Sequence, residues 1–150
     1  MPACAPLSFA PVSKQRYRRD IALIRILLVD DNPAIRRCLR RLFEGREDWR
    51  VCGEAADGSE ALQRFQQGHP DLVVLDFQMP AMNGFDAARK MIQMDPATPI
   101  LMLSVYFSKQ LADEARHIGI RGVCAKGDIS AVVHAAEALL RSETYFPESL

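Results

Sequence analysis

The chain has 150 residues, 49% of them hydrophobic and 25% charged, with 19 basic side chains against 19 acidic ones. That length and composition suit one globular domain around a single core. Zero formal net charge gives no global pull toward nucleic acid or an anionic membrane surface. No apolar run nears the ~20 residues of a membrane-spanning helix. Cys4, Cys38, Cys52 and Cys124 form no C-x-x-C pair and have no histidine at ligand spacing, which argues against zinc and for reduced thiols in the cytoplasm.

Residues 1–23 carry Pro2, Pro6 and Pro11 and then a basic stretch ending at Arg19. They read as a flexible extension, because a secretory signal puts its charge first. Order begins with Ile26-Leu27-Leu28-Val29, a short apolar run of the kind buried on both faces of a parallel sheet, ending in Asp30 and Asp31. Asn32-Pro33 supplies a helix start. Ile35, Leu39, Leu42 and Phe43 then recur at helical spacing, which predicts a solvent-facing basic side of Arg36, Arg37, Arg40 and Arg41. That side is either merely solvated or an interaction surface.

Residues 49–56 read as a strand of mixed polarity near the sheet edge. Asp57-Gly58 reads as a turn, 59–67 as a helix with Ala61, Leu62 and Phe65 inward, and Gly68 as its left-handed terminator. His69 has no second ligand nearby and reads as a loop residue. Leu72-Val73-Val74-Leu75 is the next buried strand; it runs into Asp76-Phe77-Gln78-Met79-Pro80, with Gly84 beyond. A helix is expected over 84–94. Ile100-Leu101-Met102-Leu103 is a strand ending at Ser104, followed by a helix over 108–117 that Gly119 closes. Gly122-Val123-Cys124-Ala125 is a strand ending at Lys126, and Asp128 caps a helix over 129–141 with Tyr145-Phe146-Pro147 as its exit. Five strand–helix alternations predict an α/β fold, a five-stranded parallel sheet doubly wound by helices. The domain should span 24–142, with a tail over 143–150.

A parallel sheet gathers all its strand C-termini at one edge, where folds of this class bind ligands. Asp30, Asp31, Asp76, Ser104 and Lys126 therefore collect there. Hard carboxylates without His or Cys select Mg²⁺ or Mn²⁺. A lysine offers a point charge to a phosphoryl oxygen, and a serine offers a hydrogen bond. A carboxylate can attack phosphorus to give an aspartyl phosphate. Asp76, on the central strand, is the best nucleophile candidate, which leaves Asp30 and Asp31 for the metal.

These motifs, in this order at these strand ends, resemble the response-regulator receiver domain of the CheY-like superfamily over about residues 25–141. The resemblance implies a flavodoxin-like fold, with Asp76 as phosphoacceptor. It implies Mg²⁺ held directly by Asp31, mostly through water by Asp30, and also by Asp76 and the backbone carbonyl of Gln78. Lys126 would pair with a phosphoryl oxygen, and Ser104 would contact another and move on activation. Residues 119–128, with Glu143-Thr144-Tyr145-Phe146, are similar to receivers of NarL/LuxR-type transcription regulators. The implied partners are a sensor histidine kinase and either a downstream effector or a helix-turn-helix domain missing from these 150 residues; a homodimer is left open. The chain itself would neither read nucleic acid nor enter a membrane, and would sit in the cytoplasm. It would be no enzyme on a separate substrate, catalysing only phosphorylation and dephosphorylation of its own aspartate. Two positions stand out within the resemblance. Val123 occupies the place where many receivers carry a rotating Tyr or Phe, so a phosphorylation-independent interaction module is the alternative. Tyr106, two residues past Ser104, is expected to slow hydrolysis of the aspartyl phosphate. An aspartyl phosphatase of another α/β family would place an acid where Gln78 stands, and a dinucleotide-binding domain would need G-x-G-x-x-G after the first strand.

Overall fold

A computed structural model of the protein describes residues 23–147; the expected extension through residue 22, with Cys4, and residues 148–150 lie outside the described part. Strands and helices alternate as β1 (Ile24–Val29), α1 (Pro33–Glu44), β2 (Trp49–Ala55), α2 (Gly58–Gly68), β3 (Leu72–Asp76), α3 (Gly84–Met94), β4 (Ile100–Ser104), α4 (Lys109–Ile118), β5 (Gly122–Ala125) and α5 (Ile129–Leu140). All strand pairs are parallel, in the order β2-β1-β3-β4-β5. The order reverses between β1 and β3, the switch point where an open sheet leaves a crevice above its strand ends.

The period-two alternation of the strands divides the core. Ile26, Leu28, Leu72, Val74, Leu101, Leu103 and Cys124 face α1 and α5, which contribute Leu39, Phe43, Val132 and Leu139. Leu27, Val29, Val73, Leu75, Ile100, Met102 and Val123 face α2, α3 and α4, which contribute Phe65, Met91 and Ala115. Runs buried on both faces are thus apolar at every position. Cys124 lies within this packing, where burial, with the nearby Asp128 charge, pushes its thiol up to about 12. Asn32, Asp57, Asn83, Ser108 and Asp128 cap the five helices, each side chain accepting an N–H of the first turn.

Four local expectations change. Asp57-Gly58 is a helix start rather than a free turn. Gly68 is the last residue of α2, and the left-handed position falls to His69, at φ 45°. Pro70 disfavours a right-handed helical conformation in the residue before it, and histidine tolerates positive φ better than most. The α2 carbonyl at Gly68 is taken by Arg25, whose Nε and Nη2 donate at 3.0 and 2.8 Å.

The α1 arginines are not all solvated: Arg36 and Arg40 both donate to Glu54 on β2, at 2.9 and 2.8 Å. Finally, the exit after α5 returns to the sheet. Tyr145 donates its N–H to Arg121, and its carbonyl accepts from Val123, both at 2.9 Å. The segment lies parallel to Gly122 on the open edge of β5. Phe146 follows, packed on the α2–α4 side of the core with Arg116 4.2 Å over its ring.

Candidate functional site

Each charged residue is placed by the way its strand ends. At the end of β1, the Asp30 N–H donates to Ala55 while its Oδ1 accepts the Asn32 N–H at 2.8 Å. That turn delivers the chain to the Asn32 cap, leaving Asp30 buried and Asp31 exposed. At the end of β3, Asp76 Oδ1 accepts the Gln78 N–H at 3.2 Å. The chain then folds back tightly enough that the Gly84 N–H donates to Phe77 at 2.8 Å. A Cβ on Gly84 would sit 2.7 Å from the Asp76 carbonyl and 2.9 Å from Phe77 Cα. Only glycine lets the first turn of α3 press against the aspartate's own backbone. Between them Met82 donates to Pro80 across Ala81, which holds φ 68° in a strained γ-turn.

The other side of the switch point supplies the cation and the hydroxyl. Lys126, just past β5, donates its N–H to Ser104 at 2.9 Å. Its Nζ lies 2.9 Å from Asp30 Oδ2 and 3.0 Å from Asp76 Oδ2. These are ion-pair distances, but the approach is off the hydrogen-bonding direction. Both oxygens are therefore buried with no directed hydrogen bond, the only such side-chain atoms among the described residues. Ser104 is buried as well, and its Oγ donates to the Tyr106 carbonyl at 2.5 Å rather than toward Asp76. The loop it holds presents Val105 and Tyr106, 61% and 76% exposed.

Burial raises the Asp76 carboxyl above its usual range, and the Asp30 charge adds to this, while Lys126 pulls the other way. Burial works against the Lys126 charge, yet the two carboxylates outweigh it and raise the ammonium. Asp30, Asp31 and Asp76 each offer an oxygen within 4.8 Å of the others. Three carboxylates against one ammonium leave two negative charges. An all-oxygen set of that charge, with two buried oxygens lacking a directed partner, fits a hard divalent cation. Beside it, Asp31, Phe77, Gln78, Met79, Pro80 and Asn83 line an open surface cleft.

So Asp30, Asp76 and Lys126 meet directly, Asp31 stands at their rim, and Gln78 lines the adjoining cleft. Ser104 is one backbone hydrogen bond from Lys126, with its hydroxyl turned away. Val123 is fully buried in the α2–α4 side of the core, and its N–H donates to the Tyr145 carbonyl of the tail. Sequence reasoning did not find the Arg36–Glu54 pair beside Asp30, nor the reason for Gly84.

Residues 26–137 match the response regulator receiver domain family. The chain belongs to that family. The uncharacterized transcriptional regulatory protein YhcZ of Bacillus subtilis is 38% identical over 98 residues, 65% of this chain and 46% of that protein. A protein-glutamate methylesterase/protein-glutamine glutaminase of Pyrococcus abyssi is 43% identical over 81 residues, 54% of this chain but only 22% of the enzyme. The crystal structure of a LuxR-family two-component response regulator from an Aurantimonas species superposes with a TM-score of 0.79 at 36% identity, covering 82% of this chain and 89% of that one. The sheet order and paired helices are those of the CheY-like fold. The chain spans 22% to 59% of the length of the first curated relatives it matches. No helix among the described residues is long and apolar enough to cross a membrane.

Proposed function

We propose that this receiver is a phosphorylation switch in which Asp76 accepts a phosphoryl group. The supporting observation is the position of Lys126 Nζ, within 3.0 Å of both Asp30 and Asp76 at the mouth of the sheet. An Asp76 oxygen attacks phosphorus, a new O–P bond forms, and the P–N bond of a phosphohistidine, or the P–O bond of a small acyl phosphate, breaks toward its donor. Mg²⁺, when bound, neutralises the phosphoryl oxygens and offsets the crowding of the acids. Asp30, Asp31, Asp76 and the Gln78 carbonyl are the groups that would hold it. Lys126 is freed from one carboxylate as it pairs with a phosphoryl oxygen. Ser104 exchanges the Tyr106 carbonyl for another phosphoryl oxygen, which withdraws the tether on the exposed Val105–Tyr106 loop. The chemistry is positioning and charge neutralisation.

The donor on this reading is a sensor histidine kinase in the cytoplasm. The output is a downstream effector or a DNA-binding domain in the same protein, by analogy with the transcription regulators it is similar to. The receiver unit is residues 24–142. Treatment with acetyl phosphate and Mg²⁺ should add one phosphoryl group to the intact protein by mass spectrometry, and Asp76→Ala should abolish it. An adduct that survives Asp76→Ala overturns the assignment of Asp76. No adduct on the wild type, from this donor or from a phosphorylated histidine kinase, favours the phosphorylation-independent module that Val123 suggests.

A further inference from the structure

Arg36 sits in the first turns of α1, where helical spacing alone would leave it in solvent. Its side chain is instead only 18% exposed. One guanidinium reaches two groups: Nη1 donates to the Asp30 carbonyl at 2.5 Å, and Nε to Glu54 Oε1 at 2.9 Å. Glu54 is itself held by Arg40, whose Nε donates to its other oxygen at 2.8 Å. The fork of Arg36 is thereby fixed from β2 as well as from its own helix.

The Asp30 carbonyl belongs to the peptide that joins Asp30 to Asp31. That peptide is planar, so holding its oxygen sets the direction in which the chain leaves both residues. The rest of the turn is fixed nearby, through Asp30 N–H on Ala55 and Asn32 N–H on Asp30 Oδ1. Arg36 is the side chain that secures the peptide between the two acids. We infer that Arg36 is a positioning residue for the cation site, presetting the Asp30 and Asp31 carboxylates for Mg²⁺ while Glu54 holds it in place. This rests on the reading that these acids hold Mg²⁺.

A simple bystander role makes the opposite prediction. A guanidinium beside a cation site repels the cation, so removing a bystander tightens Mg²⁺ binding. Removing a positioning group weakens it, and losses of about tenfold are usual for groups that orient metal ligands. The sign of the change therefore separates the two.

The measurement is Mg²⁺ affinity of the full chain without phosphodonor, by calorimetry and by the shifts of the Asp31 and Asn32 amides. Arg36→Ala is expected to weaken Mg²⁺ about tenfold. Arg36→Lys keeps the charge but cannot serve the Asp30 carbonyl and Glu54 together; it should recover only part of the loss, and it covers the case in which the alanine variant does not fold. Unchanged or tighter binding in a folded Arg36→Ala, or wild-type affinity in Arg36→Lys, overturns the inference. A wild type that binds no Mg²⁺ overturns the metal reading instead. Thermal unfolding of each variant shows whether a loss of affinity accompanies an intact fold.

Discussion

At the β2 edge of the sheet, carboxylates from neighbouring helices meet the strand. Glu44 of α1 accepts the Val51 N–H at 2.9 Å, Glu60 of α2 accepts the Ala56 N–H at 2.8 Å, and Glu54 gathers Arg36 and Arg40. At the β5 edge the same problem, an unpaired row of backbone groups, is met by backbone. Tyr145 lies along Gly122 and exchanges hydrogen bonds with Arg121 and Val123. Gly122 has no side chain there because a Cβ would stand 3.2 Å from the Tyr145 carbonyl and 2.9 Å from Leu139. The β2 edge is therefore closed by charge, which salt and pH weaken, and the β5 edge by packing and directed bonds, which they barely touch. Lys126 is the link between the two halves, carried by β5 but paired with acids that end β1 and β3.

Cutting that link should have the largest effect. Lys126→Met leaves Asp30 and Asp76 buried against each other with no compensating cation. Loss of one partner of a buried ion pair costs about 3 kcal/mol. Chemical denaturation without divalent cations should show a loss of that order. Mg²⁺ should restore more stability to this variant than it adds to the wild type, since it supplies the missing charge. If Mg²⁺ leaves the deficit unchanged, the three acids do not act together on a cation.

How far a feature shows in the sequence follows the range of the interaction behind it. β1, β3 and β4 were legible because a strand buried on both faces shows as an unbroken apolar run, and the acids, Ser104 and Lys126 because a parallel sheet turns strand ends into neighbours. Caps were legible since Asn32 and Asp128 act within three residues of themselves. What was hidden depends on distant partners. Arg36 and Arg40 read only as members of a solvent-facing basic side because Glu54 lies 18 and 14 residues away on another strand. The Tyr145 contact is made by backbone, which leaves no trace in side-chain pattern. The orientation of Ser104 toward Tyr106 was equally out of reach, for a residue's position on a strand does not fix where its hydroxyl points.

The β5 edge gives the intermediate effect. Phe146→Ala removes a ring that packs on the α2–α4 side and carries Arg116 on its face. A loss of about 1–2 kcal/mol is expected from burial and the cation–π contact together. Hydrogen exchange should localise it: the Val123 and Tyr145 amides should exchange faster, while the Val51 amide on the opposite edge should not change. Equal acceleration at both edges would mean that the tail supports the whole domain rather than its own edge.

The smallest effect belongs to the β2 edge, and it should depend on pH. Burial works against the Glu54 charge, but hydrogen bonds and charges from Arg40 and then Arg36 outweigh it and hold the carboxyl below its usual range. A carboxyl lowered in the folded state binds its proton more weakly there than in the unfolded chain. Its contribution is therefore complete above the ordinary carboxylate range and disappears as pH falls through the lowered folded value. With Glu54 partly exposed, the contribution is about 0.5 kcal/mol. Glu54→Gln should lose that much at neutral pH, less in high salt, and nothing once the wild-type carboxyl is protonated. The Phe146→Ala deficit should persist through the same acid range as long as both proteins stay folded. A Glu54→Gln deficit that is flat in pH and salt would show that hydrogen-bond geometry, rather than charge, closes the β2 edge.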